Sequence, residues 1–302
     1  MNLATAIDTF LSELEKLNYS KRTIKGYKQD LEMLEEVVCL QNCEVNCLTS
    51  EQVEVFLDYS VQVGKSPSSS YRNRRLSCLR SFFSLLTDKK IITSKQNPTT
   101  SIKFARVVNR KPSPLSYAEY LSILEAVKKE KSEFLRKRNW SIIVMFYNTG
   151  LRLSELSNLD INQIDFHETR ILSLKRKGNK VVDFPINRNV VLSLSSWVKT
   201  RGTAIDNALF TTSKNRRIST RMIERLVKRY ADLAGIDRSI TPHTFRHSYC
   251  TEIQKRGAGM YIAQELMNHS SIKTTSRYSH VNDADMRIAM DSLIDSKQWP
   301  ED

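Results

Sequence analysis

Apolar residues Ile7, Phe10, Leu11, Leu14 and Leu17 fall three and four apart, the spacing of one helical face. Ser20 then offers a cap for a second helix that turns Ile24, Tyr27, Leu31, Leu34 and Val38 inward. Thr49 with Gln52 three residues on makes a capping-box pattern ahead of Val53, Phe56 and Leu57, and Leu76, Leu79, Phe82, Phe83 and Leu86 mark a fourth helix. These stripes predict a small helical bundle. Arg72, Arg74, Arg75 and Arg80 accompany the last stripe, so that helix is expected to serve the core on one side and a phosphate-bearing partner on the other.

Between Asn97-Pro98 and Lys111-Pro112-Ser113-Pro114 the periodicity lapses, and prolines bracket a basic stretch containing Arg106 and Arg110. Such a stretch reads as a linker lying on a charged partner. The expected division is a first domain over 1–108, a linker over 109–114 and a second domain over 115–302. Ser116 and Glu119 form another capping-box pattern, opening a helix through Leu121, Leu124 and Val127. The run from Trp140 to Tyr147 is apolar and too long for an exposed strand, so it predicts a buried helix closed by Gly150, with a further helix from Leu153 to Leu159. Two extended segments, Arg170 to Arg176 and Val181 to Ile186, flank a Gly178-Asn179 turn and predict a hairpin, the one persuasive strand signal. Helical periodicity resumes from Val190 to Val198, Met222 to Leu233, Phe245 to Gln254 and Ile262 to Met267. The expected fold class is mainly α, with a small β-sheet confined to the second domain.

Charge adds a partner to this picture. The chain of 302 residues carries 47 Lys and Arg against 33 Asp and Glu, a formal net charge of +14, which is the footprint of a polyanion binder. Residues 1–64 hold 5 basic and 11 acidic side chains, whereas residues 65–108 hold 10 and 1. A sign change of that size inside one expected domain favours a surface shaped to face phosphates over a merely solvated basic face. The first residues lack a basic region followed by an apolar run, and no stretch of eighteen apolar residues occurs, so a cytoplasmic protein without membrane association is expected. Cys39, Cys43, Cys47, Cys78 and Cys250 form an odd set with no C-x-x-C pair and no nearby His, which favours reduced thiols over a metal site.

His243, Arg246 and His247 stand three and four apart and share a helical face if Pro242 occupies the first turn. Alone, H-x-x-R decorates many solvated helices. Weight comes from an ordered set: Thr149-Gly150-Leu151-Arg152-Leu153-Ser154-Glu155, Lys177-Gly178-Asn179-Lys180, His243-Thr244-Phe245-Arg246-His247, His269-Ser270 and Tyr278. With these five blocks the sequence resembles the tyrosine recombinase (phage integrase) family, especially its compact Xer-like and transposon-resolving members. The stretch Arg75 to Phe83 also looks like that family's core-binding bundle. Met267-Asn268 before His269 and Arg277 before Tyr278 depart from the family's common residues without touching a catalytic position.

The resemblance implies an N-terminal helical core-binding (SAM-like) domain and a C-terminal α+β catalytic domain that clamp around DNA. It implies catalytic Arg152, Lys177, His243, Arg246, His269 and Tyr278, with Glu155 in support. The chemistry fits these residue types. Two guanidiniums can clamp the non-bridging oxygens of a phosphodiester while charge grows on them. Tyr278 would attack phosphorus to give a 3'-phosphotyrosyl intermediate, and its phenol needs a proton acceptor at neutral pH, for which His243 stands first. Lys177, at a hairpin tip, would protonate the leaving 5'-oxygen. His269 would bond the phosphate or the surroundings of Tyr278. The phosphotyrosyl bond conserves the energy of the broken linkage, so no metal, nucleotide or other cofactor is expected, and neither a G-x-x-x-x-G-K-[ST] loop nor a carboxylate cluster stands in the sequence.

The expected partner is double-stranded DNA with an inverted-repeat core site, bound by a homotetramer in the synaptic complex and by a monomer or dimer when free, with room for an accessory protein or partner recombinase. Because the chain begins directly at the bundle, a simple-site recombinase for dimer or cointegrate resolution is favoured over a directional phage or transposon integrase. The apolar residues Met286, Ile288, Met290, Leu293 and Ile294 form an amphipathic tail that either docks on a neighbouring subunit or packs on its own domain. Rival readings are a type IB topoisomerase, a DNA-binding regulator on the same fold, and a metal-dependent nuclease. The full catalytic set argues against the regulator, the bundle against the topoisomerase, and the missing carboxylate cluster against the nuclease.

Overall fold

The structure is a computed structural model, and it describes residues 1–38, 44–59, 68–107, 113–176, 180–203 and 205–255. The chain divides into two compact units, Met1–Arg110 and Lys111–Asp302.

In the first unit the helices are α1 (Leu3–Lys16), α2 (Lys21–Val38), α3 (Ser50–Asp58) and α4 (Ser69–Asp88). The caps are those the sequence predicts. The Ser20 hydroxyl accepts from the Thr23 N–H, and Thr49 and Gln52 close a reciprocal capping box on α3. Phe10, Leu14, Leu31, Leu34, Phe56, Leu76, Leu79, Phe82 and Leu86 form the core, with the Phe10 and Phe82 rings edge to face at 5.4 Å. Edge-to-face geometry sets the positive rim of one ring against the negative face of the other. Past α4 a single 3-10 turn, Ser94–Gln96, precedes an extended segment that returns along that helix. Asn73 pins it in both directions, donating to the Ala105 carbonyl and accepting from the Ala105 N–H at 2.8 Å each.

The second unit contains α5 (Tyr117–Lys128), α6 (Glu133–Thr149), α7 (Leu153–Ser157), β1 (Ile164–Asp165), β2 (Arg170–Lys175), β3 (Val181–Pro185), α8 (Arg188–Arg201), α9 (Thr220–Leu233) and α10 (Pro242–Lys255). The strands form one antiparallel sheet in the order β1-β2-β3. Ile171 faces Ile164 on one side and Phe184 on the other, and the register slips between Ile171 and Leu174. Ser173 sits at that slip with φ 50°, its N–H donating to the Asp183 carboxylate at 2.9 Å, which is how a bulge keeps its extra backbone group bonded. β1, which the sequence did not announce, is two residues long and exists by pairing with β2.

Helix α6 is apolar almost all round over its second half and lies in the middle of the core, packed by α5, α8 and α10. A helix with no polar face has to be buried on every side. Its few polar groups are accordingly paired: the Ser141 hydroxyl donates to the Ser193 carbonyl, and the Asn148 side-chain carbonyl accepts from Asn187. Gly150 ends the helix in the left-handed region at φ 59°, with its N–H donating to the Phe146 carbonyl.

Candidate functional site

The candidate site grows out of the end of α6. After Gly150 the chain passes through buried Leu151 to Arg152, which stands immediately before α7. Glu155, in the first turn of α7, takes two hydrogen bonds from Arg152, one from its backbone N–H and one from Nη1, both at 2.8 Å. The carboxylate satisfies a helix-start donor and fixes the guanidinium in the same contact. Its own side chain is 4 % exposed, whereas that of Arg152 is 23 % exposed, so the pair leaves part of the cation accessible.

Helix α10 delivers the second guanidinium. Thr241 and Thr244 cap its start reciprocally, each backbone N–H donating to the other's hydroxyl, and Pro242 occupies the first helical position, where its missing N–H costs nothing. Arg246, one turn in, is 5 % exposed, and its Nη1 donates to the Gly150 carbonyl at 2.7 Å. Tyr249, three residues on, lays its ring against Gly150, where an added Cβ would lie 2.4 Å from Cδ1. A side chain at 150 is therefore excluded twice, by the left-handed backbone and by that ring. His243 is exposed and His247 half-buried, on the rim of the helix that carries Arg246 inward.

A third guanidinium belongs to the same neighbourhood. Arg176 follows β2, is 8 % exposed, and stacks over the Phe184 ring at 4.8 Å from its centre. Its backbone N–H donates to the Lys180 carbonyl at 2.8 Å, closing the base of the hairpin. The fields of these groups meet at Arg246. Burial, then the charge of Arg152, then that of Arg176, bring its pKa down to about 10, against an opposing pull from Glu155. Burial likewise raises the Tyr249 phenol, while Arg176 and Arg246 draw it down. Among the described residues the buried Tyr249 hydroxyl has no hydrogen-bond partner. Cations gathered inside a protein hold one another at high potential, and a tetrahedral oxyanion relieves them.

Of the residues expected to act, Arg152, Glu155 and Arg246 are brought together and His243 lies on the same helix as Arg246. Lys177, His269, Tyr278 and Arg110 lie outside the described residues, as do the Gly178-Asn179 turn, the helix from Ile262 to Met267 and the apolar tail. Arg176 stands in the basic run Lys175-Arg176-Lys177, although the sequence pattern marks it only as the end of a strand.

The first unit requires a correction. Arg75, expected on a DNA-facing edge, is wholly buried. Its Nη1 donates to the carbonyls of Phe56 and Tyr59, and its guanidinium lies over the Phe56 and Tyr71 rings. A side chain so enclosed holds the bundle together and does not meet DNA. Its neighbours are also engaged within the unit: Arg72 pairs with Asp58 and Arg74 with Asp30, while Arg80 donates to the Ile102 carbonyl and stacks on Phe104. Arg106 is exposed. Burial raises the Asp30 carboxyl, with Arg74 pulling the other way.

Among the described residues no group of three or more His, Cys, Asp or Glu is placed to hold a metal ion, and no helix is long and apolar enough to cross a membrane.

With this geometry in view, the comparisons with known proteins agree on a class. Residues 114–285 match the phage integrase family and residues 7–90 match the N-terminal SAM-like domain of phage integrases. The chain belongs to the phage integrase family, the tyrosine recombinases, which are DNA strand-exchanging enzymes acting in site-specific recombination. It is similar to tyrosine recombinase XerC of Alcanivorax borkumensis, 30% identical over 93% of this chain and 91% of the relative. XerC of Thermodesulfovibrio yellowstonii is 29% identical, with 91% of each chain covered. The fold is shared with the Tn1549 transposon integrase in complex with circular intermediate DNA, at TM-score 0.72 and 22% identity over 96% of this chain and 99% of that one. It is shared too with a lambda integrase dimer bound to a core site, at TM-score 0.70 and 17% identity over 94% of this chain and 100% of that one.

Proposed function

We propose that Arg152 and Arg246 clamp the scissile phosphate of double-stranded DNA while Tyr278 attacks it, giving a 3'-phosphotyrosyl link and a free 5'-hydroxyl. The observation that carries this reading is the joint anchoring of the two guanidiniums. Glu155 holds Arg152 from one side and the Gly150 carbonyl holds Arg246 from the other, a turn apart at the end of one buried helix. Donors fixed in advance lose no reorganisation energy when charge grows on the phosphate oxygens. His243 accepts the phenolic proton, Lys177 protonates the leaving oxygen, and His269 bonds the phosphate or the surroundings of Tyr278. The 5'-hydroxyl of a second strand then attacks the phosphotyrosine, so that bonds broken and formed balance without a metal or nucleotide.

Two rounds of this exchange pass through a Holliday junction on an inverted-repeat core site, within a homotetramer. The fold of a lambda integrase tetramer bound to a Holliday junction, matched at TM-score 0.69, supports the assembly. The XerC relatives support resolution of DNA dimers in the cytoplasm as the biological role, ahead of integration.

The test is incubation of the protein with supercoiled plasmids bearing candidate inverted-repeat sites, in EDTA and without ATP, beside Tyr278→Phe. Protein joined to DNA 3' ends, and absent with the phenylalanine variant, is the expected result. Cleavage that requires added Mg would replace this reading with a nuclease, and binding without cleavage under either condition would replace it with a regulator.

A further inference from the structure

We propose that residues 113–115, by which the chain enters the second unit, form a brace that sets the position of Arg246, and that Ser248 and Arg238 are the positioning residues that fasten it. The inference rests on the assignment of Arg246 to the phosphate. Each link of the brace is a direct contact. The Leu115 N–H donates to the Ser248 hydroxyl at 2.6 Å, and that hydroxyl donates in turn to the Thr244 carbonyl at 2.8 Å. Both bonds are buried. The turn of α10 that the second bond closes, residues 244–248, is the turn that carries Arg246. Arg238, between α9 and α10, holds the same segment just before Leu115. Its Nη1 donates to the Ser113 carbonyl at 2.8 Å and its Nη2 to the Pro114 carbonyl at 3.0 Å, while the Glu119 carboxylate in the first turn of α5 anchors the guanidinium at 2.9 Å.

Leu115 lies outside any helix or strand, so its buried N–H has no ladder to join and takes a side chain as acceptor. A serine inside a helix can return its hydroxyl proton to the carbonyl four residues back, a bond that shapes the turn it spans. At Ser248 the oxygen accepts as well as donates, so one atom joins the entry segment to the turn of α10. Arg246 is thereby held from two ends. Its head is fixed by the Gly150 carbonyl at 2.7 Å, and its backbone by the turn that Ser248 ties to Leu115. Leu115, Phe245 and Tyr249 belong to one hydrophobic core, so apolar packing surrounds the tie. Misplacing a reacting group by about 1 Å can cost on the order of 100-fold in rate, so a brace on the backbone that bears Arg246 acts on the chemistry without touching DNA.

The experiment measures single-turnover formation of the covalent complex at saturating protein, with DNA affinity and melting temperature determined for each variant of the full chain. Ser248→Ala is expected to slow the step about 10–100-fold and Arg238→Met about 3–10-fold, with DNA affinity unchanged in both. The double variant should be no slower than Ser248→Ala, because both substitutions cut the same brace. A merely structural role would lower the melting temperature and leave the rate at saturation intact. Full rate in either single variant, or losses that multiply in the double variant, overturns the proposal. Arg246→Met serves as the reference. If it loses the reaction while Ser248→Ala keeps it, only the inference about the brace fails. If Arg246→Met also keeps it, the assignment of Arg246 to the phosphate falls and the brace falls with it.

Discussion

Arg75 on α4 and Arg246 on α10 are both withdrawn from solvent, at 0% and 5% exposure, but the company they keep differs. Arg75 donates to neutral acceptors, the carbonyls of Phe56 and Tyr59 at and just past the end of α3 and the Tyr71 hydroxyl, lies against two aromatic faces, and has the Asp30 carboxylate within its field. Carbonyls at a helix end carry partial negative charge and lack helical partners, so a guanidinium there completes the helix. Arg246 also takes a helix-end carbonyl, that of Gly150, but it sits within the fields of Arg152 and Arg176. The first arrangement holds its two terminal nitrogens on acceptors, within the field of the Asp30 carboxylate, and the second lies among other cations. Burial of an arginine therefore does not identify its work; the sign of its surroundings does.

The largest expected effects set these two residues against each other. Arg75→Met should cost about 3–5 kcal/mol of stability in urea denaturation, because it leaves several buried acceptors without a donor. Any fall in strand cleavage should follow the unfolded fraction. Arg246→Met should cost less stability than Arg75→Met, since it also removes a repelled cation, yet it should lower cleavage by about 100–1,000-fold. Equal destabilisation by the two variants would erase the distinction drawn between them.

A smaller effect is expected at the turn that joins the two catalytic-domain arginines. Gly150→Ala forces a left-handed alanine at φ 59° and drives a Cβ into the Tyr249 ring. The backbone strain alone is worth about 1–3 kcal/mol. The displaced turn carries both Arg152 and the carbonyl that anchors Arg246, so cleavage measured under folded conditions should fall further than the loss of stability explains. Gly202, also at positive φ, has open space around its missing Cβ. Gly202→Ala should cost stability through its backbone alone and leave cleavage unchanged, and a matching loss of activity there would show that the Gly150 effect is not specific to the site.

What the sequence made legible follows the same division between local and tertiary causes. The capping boxes at Thr49 and Ser116, the Gly150 terminator and the two hairpin strands were readable because each depends on residues a few positions apart. Strand β1 was not, since two residues carry no periodicity and its existence depends on the facing edge of β2. Arg75 was misread for a related reason. An arginine among basic neighbours looks like surface, and only the fold brings the end of α3 and two aromatic rings around it. Arg152, Glu155 and Arg246 were found through the family's motif blocks, whereas the tie between them, through the Gly150 carbonyl, spans 96 positions and appears only in three dimensions.

The smallest expected effect is a shift in melting temperature with inorganic phosphate. Because burial and the neighbouring cations bring the folded Arg246 guanidinium down to about 10, well below its ordinary value, the unfolded chain binds the extra proton in the window above pH 10. Stability from this group therefore rises as pH increases through that window, and below it the folded protein bears the full cost of the buried charge. An anion between the guanidiniums offsets that cost while Arg246 is protonated. At ten times its dissociation constant, phosphate should add about 1.4 kcal/mol, a rise of roughly 3–5 °C for a unit of this size. The rise should hold steady from neutral pH upward and fade above about pH 10, where Arg246 loses its proton. Arg75→Met should keep the phosphate increment on its lower baseline, and Arg246→Met should lose most of it. An increment that survives in Arg246→Met would place the anion elsewhere and remove the electrostatic half of the contrast with Arg75.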